Sequence, residues 1–247
     1  MKRFFWYGIS EKGPFRRLNE DYFRCVELEE SHYFLSIADG VGGHARGDLA
    51  SKLATDFCLE RYRQNINLST RKEVSAVLMD SFLYAHSQLK QISLERQERS
   101  GMGTTLSVVV ITDKEASIAN VGDSRIYLIR KGRILQLTMD HSLVNVLLRQ
   151  NLLSRQEAEN YPRKNVLTQS VGVKPTIVPQ KVEKVDLEKG DIFFFSTDGL
   201  HNFFSPDEIR RTFEENPLKD SVNILIQGAM ERGSRDNVTG VAFQFQG

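Results

Sequence analysis

Residues 34–51 read FLSIADGVGGHARGDLAS. An apolar run stops on an acid, Asp39, and three of the next four positions are glycine. The run has the length and composition of a buried strand. Beyond the glycines, Leu49, Leu53, Phe57 and Cys58 recur at helical spacing. The stretch therefore predicts strand, loop and helix, with a carboxylate delivered at the junction. Asp-Gly at a strand end is an ordinary turn signal. DGVGG, however, is longer than a two-residue hairpin turn and leads into a helix. Glycines let a backbone approach something closely, and a peptide carbonyl is a hard oxygen donor.

Working outward, strand-like runs cover 4–9, 22–28 and 33–38. A second helix follows the first, with Val74, Val77, Leu78, Phe82, Ala85, Leu89 and Ile92 on one stripe. Such stripes are core faces. Four runs, TTLSVVVIT, ASIANVG, RIYLIRKG and RILQLT, are separated by few turn residues, as in antiparallel hairpins. Residues 141–163 predict one helix stopped by Pro162. Strands at 176–187 and 191–197, short helices at 206–215 and 218–232, and a strand at 237–245 complete the chain. Strands and helices come in blocks, which predicts α+β with antiparallel sheets and argues against a doubly wound parallel sheet.

The 247 residues suit one domain, and 40% hydrophobic residues suffice for a core. A formal net charge of +1 gives no field for nucleic acid or a membrane surface, so neither is an expected partner. Cys25 and Cys58 form no metal-binding spacing with each other or the five histidines, and read as buried free thiols in a reducing cytoplasm. FFWYGI is too short for a signal segment, and no apolar run reaches the ~20 residues of a membrane span.

The Asp39 pattern repeats. Asp198 ends IFFFST, Asp123 follows ASIANVG, Glu20 and Asp21 precede the strand at Tyr22, and Asp236 precedes the final strand. Carboxylates without histidine or thiolate suit hard divalent cations such as magnesium or manganese, which prefer oxygen. Zinc would call for His or Cys. Two ions ~4 Å apart are a common clamp for attack on phosphorus. Arg16 and Arg17, just ahead of Asn19-Glu20-Asp21, offer a fork that matches phosphate geometry.

These residues resemble the metal-dependent serine/threonine protein phosphatases of type 2C in their compact bacterial form. RRLNEDYF, ADGVGGHARGDLAS, GMGTT, NVGDSRIYLIR, LTMDHSLV, STDGL and SRDNVT occur in the family's order over essentially the whole chain. The resemblance implies a β-sandwich of two antiparallel sheets flanked by helices on both sides. It implies a single catalytic domain over 1–247, with a flap at about 145–166. Asp39 would bridge two ions and the Gly40 carbonyl would bind one of them. Asp198 and Asp236 would complete the first ion's shell. Glu20 and Asp21 would serve the second, partly through water, and Asp123 a third, weaker ion. Arg16 would bind the substrate phosphate, with Asn237 as structural support.

The activity so implied is hydrolysis of phosphoserine and phosphothreonine on proteins by a water bridging two Mn2+ or Mg2+ ions. The enzyme would be a cytoplasmic monomer whose partners are phosphorylated proteins and the serine/threonine kinases it opposes. A phosphatase of small phosphoesters or phosphotyrosine would share this chemistry, and a non-catalytic phosphoprotein-binding module would share the fold. Two positions depart from the pattern. Val41 stands where some members carry a histidine proposed as general acid, and His44 reads as a loop residue. In LTQSVG, 167–172, relatives more often have a small apolar residue near Ser170, with no mechanism attached.

Overall fold

The computed structural model describes residues 4–29, 32–41, 46–66, 74–97 and 101–247. Strands β1 (Phe4–Glu11), β2 (Asp21–Glu29) and β3 (His32–Asp39) come first. Helices α1 (Gly47–Asn65) and α2 (Val74–Glu95) follow. Then come β4 (Leu106–Thr112), β5 (Glu115–Val121), β6 (Arg125–Arg130) and β7 (Arg133–Gln136). Short helices α3 (Leu143–Arg149) and α4 (Arg155–Glu159) precede β8 (Gln180–Asp186) and β9 (Ile192–Ser196). Helices α5 (Asp198–His201), α6 (Pro206–Glu215) and α7 (Leu218–Glu231) lead to β10 (Val238–Phe245).

The strands form two antiparallel five-stranded sheets, ordered β1-β10-β9-β6-β7 and β2-β3-β4-β5-β8. Central strands are apolar on both faces because each sheet is covered twice. In β3, Phe34 and Ala38 face the α1–α2 layer while Leu35 and Ile37 face the other sheet. In β9, Phe193 and Phe195 enter the inter-sheet core, whereas Ile192 and Phe194 pack with α6 and α7. The two-residue period of a strand thus feeds three cores between four layers. The α+β sandwich flanked by helices on both sides is the architecture observed.

Four local expectations need correction. The predicted helix over 141–163 divides into α3 and α4, because Asn151 takes a left-handed φ of 57° and α3 buries none of its residues fully. The predicted strand at 176–187 starts only at Gln180, after Pro179, which has no N–H to give a ladder. Asp21 does not precede its strand but opens it, paired with Asp39 on the neighbouring strand. Both cysteines are free; Cys58 is buried, but Cys25 is only partly so.

Candidate active site

The strands bring most of the predicted residues to one end of the sandwich. A cleft of about 430 Å³ is lined by Arg16, Asp39, Gly40, Asp123, Asp198 and Asp236, together with Val41, Thr105 and Lys174. Residues 165–167, at the end of the predicted flap, also line it. Glu20 and Asp21 do not line the cleft but stand behind it. Glu20 lies 3.7 Å from Arg16. Asp21 is 8% exposed and faces Asp39 across β2 and β3. The His44 assignment falls outside the described residues.

The glycine-rich junction has a steric reason. A Cβ on Gly40 would lie 2.5 Å from the Gly47 carbonyl oxygen, so the strand end and the start of α1 can meet only without a side chain there. The Gly40 N–H donates to the Glu20 carbonyl at 3.0 Å, and the Val41 N–H to Gly103 at 2.9 Å. Asp39 is fixed through its own N–H, which donates to Thr105 Oγ1 at 2.8 Å.

At the other side of the site, Asn237 ties the loop before β2 to the start of β10. Its Nδ2 donates to the carbonyls of Lys12 (2.8 Å) and Leu18 (2.9 Å). Its Oδ1 accepts from the Glu20 N–H at 2.9 Å. The structural role expected of Asn237 is visible in these bonds. Arg16 Nη2 donates to Asp236 Oδ2 at 2.6 Å. Burial lowers the affinity of the Arg16 guanidinium for its proton, but Asp236, Glu20 and Asp39 outweigh it and leave the pKa raised.

The acids are under electrostatic pressure. Burial raises the pKa of Asp39 well above the usual range, and Asp21, Asp198, Asp123 and Asp236 add to the rise. Asp123 is raised by burial and by Asp198 and Asp140. Asp198 rises to about 6, from burial and the nearby Asp236. Asp21 rises to about 7 from burial, although Thr239 and Thr197 oppose it by hydrogen bonds of 2.6 and 2.9 Å to Oδ2. Its other oxygen, Oδ1, is buried without a hydrogen-bond partner among the described residues. An orphaned buried carboxylate oxygen among like charges is costly unless a cation serves it.

The donor set is all oxygen and fits a hard divalent cation. Among the described residues, no three His, Cys, Asp or Glu side chains already stand close enough to enclose one ion. Magnesium and manganese do not need that, because they keep several waters and use few protein carboxylates. Arg16 also holds one oxygen of Asp236.

Sequence reasoning missed the hydroxyls of Thr105, Thr197 and Thr239. Their only signal was the threonine carried by three of the quoted motifs, GMGTT, STDGL and DNVT. It also missed Lys174. In LTQSVG, Gln169 Oε1 accepts from the Val178 N–H at 2.6 Å, and the buried Ser170 lines the cleft.

A family model described as protein phosphatase 2C matches residues 16–229. The protein phosphatase PhpP of Streptococcus pneumoniae is 38% identical over 233 residues, 94% of this chain and 93% of that one. The serine/threonine phosphatase Stp1 of Staphylococcus aureus has a solved structure that superposes with a TM-score of 0.90. It is 31% identical and covers 98% of this chain and 95% of its own. The catalytic domain of the serine/threonine phosphatase PstP, solved with two manganese ions, superposes with a TM-score of 0.83. It is 25% identical and covers 99% of both chains. Motif order, cleft and likeness agree: this chain belongs to the protein phosphatase 2C family.

Proposed function

We propose that the chain is a metal-dependent phosphatase that hydrolyses phosphoserine and phosphothreonine on proteins. It acts as one catalytic domain over 1–247, with 145–166 as its flap. The observation that carries this reading is the convergence of carboxylates from both sheets on one cleft, where burial and mutual repulsion raise Asp39, Asp123 and Asp198. Asp39, Asp198 and Asp236 would hold a first ion. Asp39, the Gly40 carbonyl, Glu20 and Asp21 would hold a second, and Asp123 would contribute to a third, weaker one. Manganese or magnesium, when bound, acidifies a water and neutralises phosphoryl charge.

The chain's own part is positional. The Asp39 and Asp198 carboxylates are set at strand ends, where the sheets fix their spacing. Arg16 exchanges its bond to Asp236 for the incoming phosphate, offering a fork to two phosphoryl oxygens. Val41 presents no ionisable group at the position where some family members carry a histidine. No Cys or His lines the cleft among the described residues, so a phospho-enzyme on those side chains is not invoked. The expected partners are phosphorylated proteins and the serine/threonine kinases that modify them. We place the enzyme in the cytoplasm as a monomer; among the described residues, no helix is long and apolar enough to cross a membrane.

The test is turnover of a phosphothreonine peptide, a phosphotyrosine peptide and a sugar phosphate, with manganese, calcium or chelator. Manganese-dependent turnover of the phosphothreonine peptide, abolished by chelator and poorly restored by calcium, is expected. Calcium takes more ligands at longer distances. Full activity in chelator overturns the metal assignment. Preference for phosphotyrosine or the sugar phosphate overturns the substrate class. Binding without turnover under every condition identifies a non-catalytic module.

A further inference from the structure

We infer that Lys174 selects substrates carrying a carboxylate side chain beside the phosphorylated residue; this rests on the phosphoprotein reading above. Lys174 and Arg16 are the two cations lining the cleft among the described residues. Arg16 is engaged by Asp236 at 2.6 Å and Glu20 at 3.7 Å. Lys174 is half-buried and makes no ion pair or hydrogen bond with the described residues. A half-buried lysine on the wall of an acid-lined cleft, its ammonium without a carboxylate partner, is placed to meet an anion from outside.

The segment that carries it is held from several directions. Thr104 and Val171 exchange backbone hydrogen bonds of 3.1 and 2.8 Å. The Gly172 N–H donates to His86 Nδ1 at 3.0 Å, and Lys90 Nζ donates to the Pro175 carbonyl at 3.1 Å. His86 and Lys90 are one helical turn apart on α2, so a single helix grips both ends of 172–175. Val173 packs so near Gly103 that a Cβ there would lie 2.5 Å from its Cγ2. Lys174 is therefore presented on a fixed backbone, which reduces the ordering cost of binding.

It is also carried by a different segment of the chain from Arg16. Arg16 stands where the loop before β2 meets 236–237, at the acids. Lys174 stands where 102–104 meets 171–175, beside Val41 and Val173. The apolar neighbours lower the local dielectric and strengthen a lysine–carboxylate contact. At about 430 Å³, the cleft has the size of a site for more than one small group. A residue flanking the phosphorylated one can enter it.

The experiment compares kcat/KM, in manganese, for two phosphothreonine peptides flanked on both sides by Glu or by Lys, and for an aryl phosphate. The proteins are the wild type and Lys174→Met, Lys174→Glu and Lys174→Arg. The wild type is expected to favour the Glu-flanked peptide by roughly 5- to 20-fold, between an exposed ion pair and a charge-assisted hydrogen bond. Lys174→Met should bring that ratio to within about 2-fold of unity through KM, Lys174→Glu should invert it, and Lys174→Arg should retain it. A wild-type ratio near unity overturns the inference. So does an equal loss on all three substrates in Lys174→Met, which would make Lys174 a contact for the reacting phosphate or a structural residue. Failure of the parent reading looks different: neither phosphopeptide is turned over by the wild type, and the inference falls with it.

Discussion

Strand β9 has an acid at each end, and the fold treats the two oppositely. Asp191, 1% exposed, precedes the strand. Arg130 holds it with a fork, Nε to Oδ1 at 2.7 Å and Nη2 to Oδ2 at 2.6 Å, and the Glu188 N–H adds a bond of 2.7 Å. Asp198 follows the strand and has no ion pair with the described residues. The neighbouring strand β6 carries an arginine at each end as well. Arg130 serves the buried acid at one end. At the other, Arg125 turns its guanidinium to Asp140, with bonds of 2.7–3.1 Å, and forms no ion pair with Asp123 or Asp198 among the described residues. The chain can therefore neutralise a buried acid with its own side chains. Where it does not, buried carboxylates are left to repel one another.

The sharpest break of this comparison is Asp39→Asn. Turnover should fall by more than ~100-fold, since even residues that only support metal ligands cost 10- to 100-fold. The metal-free melting temperature should nevertheless rise, because one buried like charge is gone. A metal-free protein that melts lower would mean Asp39 is held as Asp191 is.

Asp191→Asn should do the reverse. Arg130 keeps Glu188 and the Asp186 carbonyl, so the loss of its charge-assisted bonds to Asp191 costs about 1.5–3 kcal/mol, a fall in Tm of roughly 3–12 °C for a chain of this size. Turnover per folded molecule should stay at the wild-type level. Calorimetry and assays well below Tm check both halves.

Manganese itself sharpens the contrast. At a hundred times its Kd it should stabilise the wild type by about 2.7 kcal/mol. The sign of the pH dependence follows from Asp21, raised to about 7, and Asp198, raised to about 6. Groups with raised folded pKa add stability to the metal-free protein at low pH, and that share is lost as pH rises through 6–7. Buried His86, His141 and His201 are lowered by desolvation, so their share is lost as pH falls below ~6.5. The histidines affect loaded and metal-free protein alike, so the manganese-induced rise in Tm should be larger at pH 8 than at pH 5.5. Equal rises at both would remove the carboxylates from the account.

The smallest effect belongs to Arg16, bonded to Asp236 in the cleft. If it transfers to phosphate, Arg16→Ala lowers kcat/KM by roughly 10- to 150-fold, the worth of a charge-assisted hydrogen bond. Arg17→Ala should change it by less than about 2-fold. Equal effects would show that position in the loop, not the bond to Asp236, is what matters.

Much of this was legible because acids at strand ends are a local signal. A strand ending on Asp39 or Asp198 declares itself within ten residues, and the two faces of β3 and β9 follow from their continuous apolar runs. The hydroxyls of Thr197 and Thr239 were not legible as partners of Asp21. Those contacts join residues 176 and 218 positions apart, and only the packed sheets bring them together. The break in the helix at Asn151 was hidden for the opposite reason. Its helix formers are good, but no core lies beneath α3 to hold a long helix in place. Lys174 carried no motif at all, and its interest comes from the cleft it reaches.

The pairing of β1 with β10 has a consequence for how the molecule is made. Residues 4–11 lie more than 220 positions before 238–245, which among the described residues is their one strand partner. Asp236, Asn237 and Thr239 travel with that late strand and supply the bonds that hold Arg16, Glu20 and Asp21. The cleft is thus completed only once β10 has docked. Until β10 docks, β1 waits as an unpaired hydrophobic edge that invites another chain. Folding should be slow, as long-range sheet pairing dictates. While β10 is undocked, Arg16, Glu20 and Asp21 lack the bonds that Asp236, Asn237 and Thr239 supply, and their spacing is not fixed.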